Sequence, residues 1–177
     1  MSRLPVAGFA AAAVLFAADQ ATKYGVTHVL GLDELTNARE ITSFFNLQFV
    51  ANRGVSLGLL HASNDTSRWL LVAMTGLIAL GVLVWMLREP KRIEQIALGC
   101  VLGGALGNIL DRVRLGYVVD FADFHIGAWQ PFLVFNVADA AITVGVLVLF
   151  VRALLVRDKP RGERHAERDS VETSGNA

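Results

Sequence analysis

The sequence predicts a membrane-embedded, mostly α-helical fold, four transmembrane helices with a small external β element. Three observations predict it. Apolar blocks run over Leu4–Thr27, Trp69–Leu87, Ile93–Leu110 and Phe132–Leu155. Each is near the roughly 20 residues that a helix needs to cross the hydrocarbon core of a bilayer. Short charged segments separate them, so a formal net charge of +0 over 177 residues conceals strong segregation. Finally, Phe45-Asn46-Leu47-Gln48-Phe49 alternates apolar and polar with period two, the pattern of a half-buried strand. A soluble bundle would carry a polar stripe on each helix, and Leu70–Leu87 carries none.

The first block begins with Arg3, an apolar run to Phe16 and the small residues Ala17 and Ala18, which together mimic a cleaved signal peptide. Asp19 and Lys23 follow at helical spacing and Tyr24–Leu30 continues the apolar character, which favours a retained helix. The polar stretch Gly31–Arg68 then holds the predicted strand. A turn or loop follows over Asn52–Gly58, and Ser63-Asn64-Asp65-Thr66 is expected to cap the second helix. Glu89-Pro90-Lys91 ends that helix in a tight turn.

The third block places Gly99, Gly103 and Gly107 on one face, where a neighbouring helix can approach closely. Val113–Pro131 forms a second external connection with a short strand expected at Gly116–Val119. Residues 1–157 form one membrane domain, and 158–177 are charged, poor in apolar residues and expected to be a disordered, dispensable tail.

Lysine and arginine placement sets the orientation. Arg3, Arg88, Lys91, Arg92, Arg152, Arg157, Lys159, Arg161, Arg164 and Arg168 fall on one side. Lys23, Arg39, Arg53, Arg68, Arg112 and Arg114 fall on the other. The first set is larger and hugs the helix ends, so both termini are expected in the cytoplasm. Cys100 is the single cysteine, which excludes an internal disulfide, and no Cys/His spacing suggests zinc.

With alternating helix directions, polar residues collect near the external surface. Asp19 and Lys23 lie at the outer end of the first helix, and Asn108, Asp111 and Arg112 at that of the third. Asn136 and Asp139 are expected about two turns inside the start of the fourth, roughly 10 Å deep. Asp120 lies on the connection between the last two helices. Ionisable groups at membrane depth are costly and commonly face a functional cavity. Bland readings exist: Lys23 snorkelling to the interface, or Arg112 as an external anchor with Asp111 its solvated neighbour. Asp139 resists such a reading, because apolar residues flank it on both sides.

Two carboxylates that share a proton can hydrolyse an amide without metal or covalent intermediate, one activating water and the other protonating the leaving amine. Asp120 and Asp139 suit those roles. His28, His61, His125 and His165 lack zinc-protease spacing. A Ser/Lys dyad would need Ser43 or Ser56 beside Lys23, and a proton-coupled transporter would need polar residues through the inner halves of the helices, where almost none occur. A non-catalytic assembly factor would leave the polar cluster unexplained.

Five separated motifs carry a resemblance. They are Asp19-Gln20-Ala21-Thr22-Lys23; Asn52-Arg53-Gly54; Gly103-Gly104-Ala105-Leu106-Gly107-Asn108 with Asp111-Arg112; Val118-Val119-Asp120-Phe121; and Phe135-Asn136-Val137-Ala138-Asp139. In this order, over about residues 1–155, the chain resembles bacterial lipoprotein signal peptidase, signal peptidase II. The resemblance implies that Asp120 and Asp139 are the catalytic pair. It implies Asp19, Lys23, Asn52, Asn108, Arg112 and Asn136 as supporting polar residues, and Gly54, Gly104 and Ala138 at small positions. It implies a prolipoprotein substrate whose cysteine carries diacylglycerol, cleavage just before that cysteine, no cofactor, an external β-cradle in a bacterial cytoplasmic membrane, and inhibition by globomycin-like peptides. Leu57, where the family commonly has an aromatic, and the long spacing from Trp129 to Phe135 depart from the pattern.

Overall fold

The computed structural model describes residues 4–36, 38–54, 65–127 and 129–155. Helix α1 spans Val6–Tyr24 and continues as a π-helical turn over Gly25–Val29. Strands β1 (Arg39–Thr42) and β2 (Phe45–Asn52) precede α2 (Asp65–Arg88) and α3 (Arg92–Leu115). Strand β3 (Val118–Phe124) then leads to α4 (Val137–Leu155). Three of these helices, α2, α3 and α4, are long and apolar enough to cross a membrane. Leu70, Leu77, Ile78, Val144, Leu147 and Phe150 stand exposed on α2 and α4. Apolar helix faces of that extent suit a lipid surround.

Helix α3 is the centre of the bundle, and its glycines explain why. A Cβ at Gly103 would lie 2.5 Å from the carbonyl oxygen of Ala12, and one at Gly99 would overlap the backbone of Gly8, so α1 lies directly on the Gly99–Gly103–Gly107 face. Gly104 points the other way, against the carbonyl of Ala138 on α4. Gly145 of α4 returns the contact, its absent Cβ 2.6 Å from the Ala97 carbonyl. The expectation of close helix packing on this small-residue face is met. Helix α2 packs on α3 through larger side chains, with Met86, Leu98 and Leu102 in one buried cluster.

Strands β1, β2 and β3 form one antiparallel sheet in that order. Leu47 pairs with Ala122 and Val50 with Asp120, so β2 carries one more residue than β3 between those points, a bulge that bends the sheet. The predicted strand at 45–49 runs on to Asn52, and the strand expected at 116–119 lies at 118–124. Strand β1 was not foreseen: Arg39-Glu40-Ile41-Thr42 is mostly exposed and shows no apolar alternation.

Helix boundaries differ in two places that matter. Helix α3 continues to Leu115, where Gly116 closes it in the left-handed conformation (φ 88°). Helix α4 begins at Val137 rather than Phe132. The reason is a competing backbone pairing. Phe135 exchanges hydrogen bonds with Ala122 of β3 (N–H to O 3.1 Å, O from N–H 2.8 Å), so the apolar run before Asn136 is spent on the sheet edge. Asn136 therefore directly precedes α4 and Asp139 lies in its first turn, not two turns inside it. The Ser63-Asn64 part of the expected cap, Gly58 and Leu57 of the loop, Arg3 and the tail 158–177 lie outside the described residues.

Candidate active site

The sheet's inner face, the outer ends of α1 and α3 and the start of α4 converge on one set of polar side chains. Asn136 is the N-cap of α4, its Oδ1 accepting from the Asp139 N–H at 2.9 Å. The Asp139 carboxylate reaches back to the Asn136 N–H at 3.3 Å. This reciprocal pair is a capping box with aspartate in place of the usual glutamate. It fixes Asp139 at the position where helix N–H groups favour an anion.

The Asn136 side chain also looks outward. Its Nδ2 donates to Asp120 Oδ1 at 2.6 Å and lies 3.3 Å from Asn108 Oδ1. Asn108 in turn donates to Asp139 Oδ1 at 2.8 Å. Asn52, from the end of β2, donates to the other Asp120 oxygen at 2.9 Å. Asn52 Oδ1 accepts the Gly54 N–H at 3.1 Å, and Gly54 holds φ 121°, a conformation that other residues avoid. Asp120 and Asp139 are thus set in one network, each carboxylate surrounded by amide donors.

Behind them lies a nearly dry ionic layer. Lys23 Nζ stands 2.8 Å from Asp19 Oδ2 and 2.7 Å from Asp111 Oδ2, with Asn108 Oδ1 at 3.2 Å. Asp19, Lys23 and Asp111 are all buried. A Ser/Lys dyad needs a lysine amine turned towards a serine, whereas Lys23 is committed to these three partners. Arg112 donates to the Asn108 carbonyl at 3.4 Å and faces the charges of Asp139, Asp120 and Asp111. Arg68, at the start of α2, caps the end of α3 by donating to the Arg112 carbonyl at 2.6 Å and to that of Val113.

The predicted residues Asp19, Lys23, Asn52, Asn108, Asp120, Asn136 and Asp139 are brought together. Gly54, Gly104 and Ala138 pack or turn immediately beside them, and Arg112 lies at their edge. Asp123 belongs elsewhere, as strand alternation implies: it pairs with Asn46 across the sheet and lies 3.4 Å from Gln130 Nε2. Asp111 and Gln20 belong to the same layer, Gln20 Nε2 lying 3.0 Å from Asp111 Oδ1. Asp111 is a buried ion-pair partner rather than a solvated neighbour of Arg112. The signal was present, since Asp111 continues the four-residue spacing of Gly99, Gly103 and Gly107 onto the face that α1 covers. No group of three or more His, Cys, Asp or Glu with metal-holding geometry occurs among the described residues.

Burial pushes the Asp120 carboxyl up from the ordinary 3.8 to about 6. The amide of Asn52 opposes that rise, the nearby Asp139 charge adds to it, and Asn136 and Lys23 oppose it. Because the folded value exceeds the unfolded one, the favourable contribution is complete below about 3.8 and is lost as pH rises through about 6. A shift of this size corresponds to about 3 kcal/mol. The stability gap between wild type and Asp120→Asn, measured by unfolding in detergent, is expected to move in favour of the variant by up to that amount from pH 4 to pH 7. A gap that does not change with pH would show that Asp120 does not titrate in this range.

A family model described as signal peptidase (SPase) II matches residues 11–155. The lipoprotein signal peptidase of Rhizorhabdus wittichii is 57% identical over 151 residues, covering 85% of this chain and 87% of the relative. That of Sphingopyxis alaskensis is 56% identical over 152 residues, with 86% and 87% covered. A solved structure described as a bacterial membrane enzyme superposes with a TM-score of 0.72 at 28% identity, covering 86% of this chain and 94% of that one.

Proposed function

Since the chain belongs to the signal peptidase II family of peptidases, we propose that it is an aspartic endopeptidase that removes the signal peptide from diacylglyceryl-modified prolipoproteins. Cleavage falls on the bond preceding the lipidated cysteine. The observation that carries the aspartic assignment is the network in which Asn136 Nδ2 holds Asp120 while Asn136 Oδ1 and N–H hold Asp139.

In this reading the two carboxylates share one proton. The ionised member takes a proton from water as its oxygen attacks the scissile carbonyl. The protonated member hydrogen-bonds to the carbonyl oxygen and polarises it, then gives its proton to the departing amine as the tetrahedral oxyanion collapses and the C–N bond breaks. Asn52, Asn108 and Asn136 donate only amide hydrogens to the pair, so they orient both carboxylates without competing for the shared proton. Arg112 lies where it can offset negative charge developing on the substrate oxygen.

The reading extends to the membrane. Residues 1–157 form a domain of four spans, with α1 as the first, in the bacterial cytoplasmic membrane. Both termini are cytoplasmic. The site then lies near the external surface, where water reaches the carboxylates and a signal helix with its acyl chains enters sideways from lipid. Reporter fusions at Asp65 and Pro90 are expected on opposite sides of the membrane, and finding both on one side would end the four-span assignment. The function is tested with purified protein in detergent. A diacylglyceryl prolipoprotein should yield a product whose mass begins at the modified cysteine, while the unmodified precursor is left intact. Equal cleavage of both precursors would refute the substrate assignment.

A further inference from the structure

Two buried carboxylates repeat one arrangement on either side of Lys23. Asp19 Oδ1 accepts the backbone N–H of Ala138 at 3.0 Å. Asp111 Oδ2 accepts the backbone N–H of Val119 at 3.3 Å. Ala138 directly precedes Asp139, and Val119 directly precedes Asp120. The two carboxylates are then joined twice. Lys23 Nζ bridges their Oδ2 atoms at 2.8 and 2.7 Å. Gln20 Nε2 bridges them again, 3.1 Å from Asp19 Oδ2 and 3.0 Å from Asp111 Oδ1.

We infer that Asp19, Gln20, Lys23 and Asp111 form a buried yoke that sets the separation of Asp120 and Asp139 by gripping the main chain one residue before each. The inference rests on the aspartic reading above. None of the four yoke side chains hydrogen-bonds either carboxylate of the pair, so they are positioning residues, with Gln20 and Asp111 the members to which the family motifs gave no role.

Three physical points support it. A buried ion pair by itself adds little stability over a well-packed apolar pair, but an apolar side chain cannot accept a main-chain N–H. The charge is also offset in part: two carboxylates face one ammonium, and the N-terminus of α4, beside Asp19, carries roughly half a positive charge. Lastly, the fold leaves room for the tie. A Cβ at Gly107 would lie 2.5 Å from Asp19 Oδ2, so only glycine there lets the carboxylate reach across.

The yoke joins three helices and a strand, which makes the distance between the two aspartates a property of the bundle rather than of the sheet. Loss of one grip should therefore misplace one aspartate while leaving the external substrate surfaces intact.

The test compares full-length Asp111→Leu, Asp111→Asn, Gln20→Leu and Asp120→Asn proteins on a diacylglyceryl prolipoprotein, measuring kcat and KM separately. Asp111→Leu removes the acceptor, and a misplacement near 1 Å costs on the order of 100-fold, so kcat should fall by about that factor with KM within about two-fold. Asp111→Asn can still accept the Val119 N–H and should recover most of the loss. Gln20→Leu leaves both grips but removes one cross-tie, and its kcat should fall by about ten-fold. Wild-type kcat in Asp111→Leu, a loss confined to KM, or an Asp111→Asn protein as poor as Asp111→Leu would overturn the yoke. If Asp111→Leu fails to accumulate, Gln20→Leu decides, and a wild-type kcat there overturns it. An active Asp120→Asn protein would remove the aspartic premise itself. An inactive one beside a normal Asp111→Leu protein would sink the yoke alone.

Discussion

Replacing either Asp120 or Asp139 with asparagine is expected to reduce cleavage of a diacylglyceryl prolipoprotein by at least about a thousand-fold, the upper range of what a positioned acid or base supplies. Asparagine keeps the shape but cannot exchange the proton that the mechanism moves. The structure adds a second cost. Both Asp120 oxygens accept amide hydrogens, from Asn52 and Asn136, and both Asp139 oxygens accept as well, from Asn108 and the Asn136 N–H. An introduced amide therefore turns one NH2 towards another donor. The double variant should be hardly worse than either single one, because the pair acts as a unit. Asp123→Asn, altered on the other side of the sheet, should retain activity, and chelators should leave the wild type unaffected. Cleavage by either single variant at a normal membrane level would dismiss the aspartic mechanism.

Adding one methyl group at Gly104 is expected to have the next largest effect. An alanine Cβ there would overlap the Ala138 carbonyl and stand 2.9 Å from Ile142 Cγ1. The obstruction is backbone, so α4 itself must move, and the residue displaced adjoins Asp139. Overpacking of this kind costs about 1–3 kcal/mol. A shift near 1 Å at the site costs on the order of 100-fold in turnover. Gly76→Ala on α2, where a Cβ meets nothing within 4 Å, is the matched control and should change neither property. A Gly104→Ala protein with wild-type turnover would mean that α4 can slide without disturbing the site.

Hydropathy was enough to find the helices, because blocks near 20 apolar residues have few alternatives to a bundle. Residue type was enough to find most of the converging polar cluster, because Asp19, Lys23, Asn108 and Asp139 stand out against apolar neighbours. Boundaries were legible only where local chemistry was unopposed. Gly116 ends α3 by its own conformation, but the start of α4 depends on Phe135 pairing with Ala122, a contact between segments that no local pattern reports. Strand β1 escaped notice for a related reason: with an exposed face it needs only the edge of β2, so selection for apolar alternation is absent. Asp111 was misjudged because its neighbour Arg112 offers an easy surface explanation, whereas its partner Lys23 is distant in sequence.

The bridge between Ala122 and Phe135 closes the chain from 123 to 134 into a loop whose two ends are pinned. One end is held within β3 and the other runs directly into the capped start of α4. Displacement of the loop between Phe124 and Phe135 must break the two Ala122–Phe135 hydrogen bonds before it moves the start of α4. A segment pinned in this way can vary in length and side chains while Asn136 and Asp139 keep their capping geometry. Trp129, Phe132 and Leu133, all exposed on this loop, are then free to be retuned without any compensating change in the helices.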